Sequence, residues 1–255
     1  MAPAISTVQD YLAFLFVLLC LGLFLFFLYF GRNLPKVNLR NIEAFRRFKR
    51  EVDLAVEAGK RLHISLGRGS INELPGGAAF VGLTILDRCA RAASNSDQPP
   101  MATTGDGVLT ILSQDTLQST YHSLGTEQHY DPTNVRLTGL TPLSYAAGAL
   151  PTIRDEDISA NFLAGHFGAE IALLAEAGAR SQSLTVAGTD AIPAQAVLYA
   201  TADETLLGEE LYAAGAYLGA GPAHLACLRM QDIVRWFLVA LIIFGAILKL
   251  LGILS

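Results

Sequence analysis

The chain has 255 residues, of which 52% are hydrophobic and 16% are charged, and its mean hydropathy is +0.40. Soluble globular proteins carry about 25% charged residues, so this composition indicates contact with lipid and excludes an intrinsically disordered chain. The net charge of −5 and the isoelectric point near 5.5 argue against a nucleic-acid partner. Cys20, Cys89 and Cys227 are too few and too scattered for a disulfide framework or a zinc site.

Two apolar runs near the ends of the chain are long enough to cross a bilayer. Residues 11–30 form a run of twenty that only one glycine interrupts, and residues 236–254 form a second run that contains two glycines and Lys249. About 20 helical residues span the hydrocarbon core of a membrane. We therefore predict two transmembrane helices. A cleaved signal peptide is disfavoured, because no Lys or Arg precedes the first run.

The orientation follows from the basic residues that flank the two runs. No Lys or Arg precedes residue 11, whereas seven basic residues follow the first run within residues 32–50. They are Arg32, Lys36, Arg40, Arg46, Arg47, Lys49 and Arg50. By the positive-inside rule, the middle of the chain is cytoplasmic and both termini lie outside. Three free cysteines agree with a reducing compartment.

Charge is segregated along the chain. Residues 32–50 have seven basic side chains and one acidic side chain, a net charge of +6, whereas residues 62–228 have six basic and seventeen acidic side chains, a net charge of −11. Anionic lipid stabilises each nearby Lys or Arg by roughly 1 kcal/mol. We expect the basic stretch to face the lipid bilayer and to set the topology. A regulatory lipid switch is the less favoured interpretation.

These patterns divide the chain into five segments. They are a short extracytoplasmic N-terminus at 1–10, a transmembrane helix at 11–31, a basic juxtamembrane segment with a linker helix at 32–61, a cytoplasmic α/β domain at 62–228 and a second transmembrane helix at 229–255. The linker helix is predicted over residues 41–61, because apolar residues recur there at helical spacing without proline.

The middle domain alternates short apolar runs with longer helical patterns. Strands are predicted at 62–66, 100–104, 135–138, 159–164 and 183–187, and helices at 74–93, 108–124, 143–149, 169–177, 192–200, 206–218 and from 222 onward. Strands that are separated by helices pair in parallel through right-handed crossovers. We therefore predict an α/β three-layer sandwich with a mainly parallel sheet of four or five strands.

Four glycine-containing loops each join a predicted strand to the next helix. In parallel sheets, ligands bind beyond the carboxyl ends of the strands, where the first turns of helices attract anions. We predict that these loops bind a nucleotide or another phosphorylated metabolite. The candidate residues are Gly67, Gly69, Ser70, Gly105, Asp106, Gly107, Gly165, His166, Glu170, Gly188 and Asp190. The alternative is that Ser70, Asp106, Glu170 and Asp190 only cap helix starts.

The sequence contains no established catalytic or phosphate-binding motif. The patterns G-x-x-x-x-G-K-[ST], G-x-G-x-x-G, G-x-S-x-G and H-E-x-x-H are all missing, and no cofactor or metal is indicated. His166 and Glu170 are four residues apart, a spacing that places two side chains on one face of a helix. An acid–base pair or a metal site therefore stays open as an alternative at these two residues.

Several segments of the chain resemble a family of uncharacterised bacterial two-span membrane proteins with a domain of unknown function. The segments are residues 65–70 (Ser-Leu-Gly-Arg-Gly-Ser), 141–151 (Thr-Pro-Leu-Ser-Tyr-Ala-Ala-Gly-Ala-Leu-Pro), 165–170 (Gly-His-Phe-Gly-Ala-Glu) and 208–218 (Gly-Glu-Glu-Leu-Tyr-Ala-Ala-Gly-Ala-Tyr-Leu). The resemblance implies the inner membrane of a bacterium. It implies no activity, so no catalytic residues are transferred.

Two hypotheses of function follow. The first is a non-catalytic scaffold or accessory subunit that associates with itself, or with other subunits of a membrane complex, through helices rich in alanine and glycine such as residues 212–221. The second is a small-molecule binding domain or an enzyme that uses the strand-end loops. Transport is disfavoured, because the first run has no charged residue and the second has only Lys249.

Overall fold

The computed structural model describes residues 3–31, 39–69, 76–94 and 96–251, with side chains from residue 8 onward. The chain divides into two compact units. One contains the two ends of the chain, Met1–Leu39 and Gly221–Ser255, and the other is the α/β unit Arg40–Ala220.

The terminal unit consists of two long apolar helices, α1 (Pro3–Phe30) and α9 (Pro222–Leu250). The segments Val8–Phe30 and Pro222–Leu250 are long and apolar enough to cross a membrane, and the most apolar window of each has no buried residue. The two helices pack against each other. Arg229 donates a hydrogen bond from Nη1 to the carbonyl oxygen of Gly31 at 2.9 Å, which satisfies a main-chain acceptor just beyond the end of α1.

The described part of the α/β unit has six strands and seven α-helices. The strands are β1 (Arg61–Gly67), β2 (Met101–Thr104), β3 (Val135–Leu137), β4 (Ile158–His166), β5 (Leu184–Thr189) and β6 (Glu204–Leu206). The helices are α2 (Glu43–Ala58), α3 (Gly76–Ala92), α4 (Gly107–Leu124), α5 (Pro142–Asp155), α6 (Ile171–Arg180), α7 (Ile192–Thr201) and α8 (Glu210–Tyr217).

All six strands are parallel and their order in the sheet is β3-β2-β1-β4-β5-β6. The chain moves outward from β1 to β3 through α3 and α4, returns to the centre through α5, and then moves outward in the other direction from β4 to β6. Right-handed crossovers that run in opposite directions place their helices on opposite faces of a sheet. The direction of winding therefore reverses between β1 and β4.

Each face of the sheet is covered by a layer of helices. One face buries Leu62, Ile64 and Phe162 against α2, α3, α4 and α8. The other face buries Leu163 and Ala187 against α5, α6 and α7. The strands are buried on both faces, which is why their sequences are nearly continuous apolar runs and not alternating patterns.

The predicted α/β sandwich with a mainly parallel sheet is confirmed, although the sheet has six strands and not four or five. The additional strand is β6, whose last residue, Leu206, the sequence pattern assigned to the start of a helix over 206–218. Only three residues form β6. A segment of that length is too short to show the two-residue period that distinguishes a strand from a helix.

The helix predicted as a linker, α2, belongs to the core of the α/β unit. Phe45, Phe48 and Val52 are buried. The ring of Phe48 lies 4.0 Å from that of Phe162 on β4, centroid to centroid, and Phe45 stacks on Tyr217 of α8. Because these contacts bury one face of the helix, the compact unit begins at Arg40 and not at residue 62.

Candidate functional site

The predicted loops meet along the carboxyl edge of the sheet. Gly67 ends β1, and Gly69 follows it in the chain. Gly105, Asp106 and Gly107 connect β2 to α4. Gly165 and His166 end β4, and Glu170 directly precedes α6. Gly188 lies within β5, and Asp190 follows that strand. Ser70 lies outside the described residues.

The centre of this edge is the junction between β1 and β4. Gly67 pairs with His166 across the two strands, and the main-chain N–H of Arg68 donates to the carbonyl oxygen of His166 at 3.0 Å. Gly67 has a φ of +75°, and a Cβ atom there would lie 2.3 Å from the same carbonyl oxygen. Only glycine therefore permits this turn out of β1 so close to the neighbouring strand.

Arg68 extends from β1 across the edge of the sheet. Its Nε donates to Oε1 of Glu170 at 3.1 Å, and the arginine side chain is only 20% exposed. A Cβ atom on Gly105 would lie 2.3 Å from Cγ of Arg68, so the arginine packs directly on the loop after β2. Among the described residues, no hydrogen bond is made to Nη1 or Nη2 of Arg68. The described residues thus fix the guanidinium at Nε and leave Nη1 and Nη2 without a partner.

Glu170 is held ionised by its neighbours. Burial alone would raise the pKa of this carboxyl. Hydrogen bonds from the main-chain N–H groups of Gly168 and of Glu170 itself, together with the Arg68 guanidinium, outweigh burial and lower its pKa. The carboxylate therefore anchors Arg68 at neutral pH and compensates its charge.

Tyr145 of α5 lies beneath Arg68 and links three elements. Its hydroxyl lies 2.5 Å from Oγ of Ser65 and 3.4 Å from Oγ1 of Thr103, and it accepts a hydrogen bond from the main-chain N–H of Gly67 at 3.3 Å. Burial raises the pKa of Tyr145, so the phenol stays protonated. The hydroxyl holds α5 against β1 and β2 and supports the turn that carries Arg68.

A buried histidine continues this polar network into the sheet. Nδ1 of His63 lies 2.6 Å from Oδ1 of Asn161, and Nε2 lies 2.9 Å from Oγ1 of Thr103. The amide oxygen of Asn161 can only accept, so Nδ1 donates to it and Nε2 accepts from Thr103. Burial lowers the pKa of His63 to about 4. The neutral imidazole therefore cross-links β1, β2 and β4.

His166 and Asp190 form a second polar pair at the carboxyl edge. Nδ1 of His166 lies 2.7 Å from Oδ1 of Asp190, and both side chains are partly buried, at 32% and 17% exposure. Burial and, to a smaller extent, the Asp190 carboxylate raise the pKa of Tyr212 on α8. The pair orders the ends of β4 and β5 relative to each other.

The alternative that the polar residues only cap helices holds for one of the three described positions. Oδ1 of Asp106 accepts from the main-chain N–H of Leu109 at 2.9 Å and so caps α4. Glu170 precedes α6 but makes no capping hydrogen bond with its side chain. Ala191, and not Asp190, is the capping residue of α7. Capping therefore does not explain the placement of Glu170 and Asp190.

The expectation that one helix face presents both His166 and Glu170 does not hold. His166 is the last residue of a strand, and Glu170 lies beyond a turn at the start of α6. A spacing of four residues aligns side chains only within a helix. Instead of pairing with each other, Glu170 binds Arg68 and His166 binds Asp190.

Three of the five described basic residues after the first apolar run form ion pairs within the α/β unit. Arg40 pairs with Glu210, and Arg47 pairs with Glu204 at 2.8 Å. Arg46 pairs with Glu43 on its own helix. Lys49 and Arg50 are exposed, and Arg32 and Lys36 lie outside the described residues. Part of the basic stretch thus docks α2 and the start of the unit onto acidic residues of the same domain.

Sequence reasoning missed the side chains that hold the site together, Arg68, Tyr145, Ser65 and Thr103. Arg68 is the one arginine in the four loops, which contain no lysine, and that isolated charge between two glycines was the available signal. Tyr145 carries no such signal, because its partners lie on other strands. In the described part of the chain, no group of three or more His, Cys, Asp or Glu residues is arranged to hold a metal ion.

Comparison with known protein families identifies the family of this chain. The family model described as Domain of unknown function (DUF6754) matches residues 2–255. The chain belongs to this family. The match confirms the resemblance to an uncharacterised domain family, while its bacterial source and its two-span architecture stay predictions. No curated protein and no solved structure matches the chain.

Proposed function

We propose that this protein is a membrane-anchored domain that binds a phosphorylated small molecule, a nucleotide or a phosphometabolite, at the carboxyl edge between β1 and β4. The proposal rests on the position and the hydrogen bonds of the Arg68 side chain. Its guanidinium is positioned by Glu170 and largely buried, yet Nη1 and Nη2 have no partner among the described residues. Two parallel N–H donors on one rigid plane match two oxygens of a phosphate group.

The topology supports this location. The strand order 3-2-1-4-5-6 is that of doubly wound sheets, in which ligands bind in the crevice where the winding reverses. Here the reversal lies between β1 and β4, at the strand ends that carry Arg68 and His166. The fold brings the predicted loops to this point, although the chain lacks the three-glycine motif of dinucleotide-binding proteins.

The three carboxylates at the edge do not oppose an anionic ligand strongly. Glu170 is neutralised by Arg68, Asp190 accepts from His166, and Asp106 accepts a main-chain hydrogen bond of α4. Each negative charge is thus already directed at a protein donor. The remaining donors, the free side of the Arg68 guanidinium above all, are available to a ligand.

The two terminal helices supply the anchor in this proposal. Their length and apolarity and the exposure of their side chains suit a bilayer, and the basic residues between α1 and α2 suit a cytoplasmic location of the α/β unit. Ligand binding by the anchored domain would then report or process a cytoplasmic metabolite.

The test is isothermal titration calorimetry of the full chain in mild detergent with inorganic phosphate, ADP, ATP and glucose 6-phosphate. We expect at least one of the organic phosphates to bind, with inorganic phosphate as a competitor. Replacement of Arg68 by Met should weaken binding by about tenfold or more, since a hydrogen bond to a charged group contributes about 1.5–3 kcal/mol. Arg154→Met, on exposed α5 surface, is the matched control.

Arg68→Lys is a second variant that distinguishes a loss of binding from a loss of folding. It keeps a cation beside the buried Glu170 but loses the planar pair of donors. It should fold like the wild-type protein and bind more weakly. Equal binding by the wild-type protein and both Arg68 variants, or no binding of any probe by folded wild-type protein, would contradict the proposal.

A second candidate function, self-association as a scaffold, is favoured by the outer face of α7. This helix has no charged residue, and Ile192 and Tyr199 are 78% and 74% exposed. They are seven residues apart and so lie on one face. Analytical ultracentrifugation should show an oligomer that Ile192→Glu dissociates and that Ile111→Glu, at an exposed position on α4, leaves intact. A wild-type monomer, or equal masses for both variants, would exclude this surface.

A further inference from the structure

His166 and Asp190 are arranged as a base and the acid that orients it. The Asp190 carboxylate can only accept, so Nδ1 of His166 donates to it across 2.7 Å. Nε2 is then the unprotonated nitrogen of the neutral ring. No described residue makes a hydrogen bond to Nε2. The imidazole is therefore fixed in orientation and tautomer, with its basic nitrogen free.

The pair lies beside the guanidinium that we assign to the phosphate. The main-chain N–H of Arg68 donates to the carbonyl oxygen of His166, so the two residues belong to directly paired strand ends. Neighbouring strands are about 4.8 Å apart, which is comparable to the size of one phosphate group. The main chains of Arg68 and His166 are thus one strand spacing apart at the carboxyl edge.

The two carboxylates of this edge hold two different residues. Glu170 anchors Arg68 and Asp190 orients His166, and no described ion pair joins the two sets. One set can hold the phosphoryl oxygens while the other exchanges a proton. The fully buried His63, in contrast, uses both ring nitrogens, with Asn161 and Thr103.

We propose that His166, oriented by Asp190, is the general base of a phosphate-ester or phosphoanhydride hydrolase. This rests on the proposed phosphate site. Nε2 removes a proton from water as the water oxygen forms its bond to phosphorus. The bond from phosphorus to the leaving oxygen breaks on the opposite side of phosphorus. That oxygen takes a proton from solvent water, and Nε2 returns its own proton to the solvent. Water and the ester give phosphate and an alcohol, with no further reactant. Arg68 stabilises the charge on the phosphoryl oxygens.

The test measures phosphate release and binding on the same samples of the full chain, with ATP, ADP and glucose 6-phosphate as probes. We expect the wild-type protein to hydrolyse at least one probe that it binds. His166→Gln should lower turnover by about 100-fold or more, the usual contribution of a general base, with an unchanged Kd. Asp190→Asn should lower turnover and also leave the Kd unchanged. His122→Gln, at an exposed histidine on α4, is the matched control.

The outcomes separate the two proposals. A probe that binds through Arg68 but is not hydrolysed by the wild-type protein overturns the hydrolase and leaves the binding site standing. Equal turnover in the wild-type protein and His166→Gln also overturns it, because His166 is then not the general base. If no probe binds, both proposals fail.

Discussion

His63 shows how a single buried side chain determines local packing at the centre of the sheet. The residue is fully buried, and both ring nitrogens are hydrogen-bonded, to Asn161 and Thr103. The sequence predicts a strand here but not the polar partners, which come from positions 40 and 98 residues further along the chain. Such pairings depend on which strands become neighbours, and no local pattern records that.

The first prediction concerns the pH dependence of stability. Folding lowers the pKa of His63 from its ordinary value of 6.5 to about 4, because the buried imidazole resists charging. Below pH 6.5 the unfolded chain binds a proton that the folded chain excludes. The free energy of unfolding should therefore fall between pH 6.5 and pH 4 by about 3 kcal/mol from this group, and change no further below that range.

Urea denaturation of the full chain in detergent at a series of pH values measures this effect. His63→Gln should unfold at lower urea overall but show a flatter dependence on pH across the same range. His122→Gln, whose side chain is 78% exposed, should keep the wild-type dependence. If His63→Gln and the wild-type protein have parallel pH profiles, His63 is not the titrating group.

The contacts of Arg68 and Tyr145 could not be predicted from the sequence. The glycines on either side of Arg68 predict a loop, because glycine favours turns. The partners of Arg68, Glu170 and Gly105, are 102 and 37 residues away in the chain. Tyr145 resembles any apolar-face residue of α5, and only the folded structure shows its hydroxyl at Ser65 and Gly67.

At the scale of elements, the connections from strand to helix were the most predictable feature. Asp106 illustrates why: it follows a strand, precedes a helix and accepts from Leu109, as an N-cap residue should. Helix α4 also ends at Gly125, whose φ of +69° allows the left-handed turn that stops a helix. Both ends of α4 are therefore encoded locally, and the predicted bounds 108–124 nearly match the observed helix.

Substitutions of Asp106 measure how much one N-cap contributes to stability. Asp106→Ala should lower the free energy of unfolding by about 1 kcal/mol, because the N–H of Leu109 loses its acceptor. Asp106→Asn should retain most of that stability, since the amide oxygen can still accept. Urea denaturation of the two variants beside the wild-type protein provides the measurement. Equal losses in the Asn and Ala variants, or no loss in either, would show that the cap contributes nothing.

Short elements were the least predictable. Three residues form β6, too few for periodicity to distinguish a strand from a helix. The equally short β3 lies within the strand that the sequence predicted at 135–138. Helix α5 extends to Asp155 although the prediction ended it at residue 149. Pro151 lies inside this helix, where its missing N–H normally favours an end. The buried contacts of Tyr145, Ala149 and Ile153 outweigh that local preference.

At the scale of the whole molecule, the α/β class followed from the alternation of elements, but the strand order did not. The order depends on where α5 returns the chain, a choice between the two sides of β1 that leaves no trace in local composition. That return places β4 beside β1. It thereby brings Arg68 to Glu170 and places the end of β1 beside His166. The candidate site is a consequence of topology, and the sequence alone supplied only its separate loops.

The most direct test of the central claim is native mass spectrometry of the full chain, released from mild detergent after incubation with ADP, ATP or glucose 6-phosphate. We predict that the wild-type protein, at 27.3 kDa or a multiple of it, retains one of these compounds and that Arg68→Met, measured in parallel, does not. Arg154→Met should retain the same mass as the wild-type protein. Wild-type protein with no added mass, or with no more than Arg68→Met retains, would contradict a phosphate site at the junction of β1 and β4.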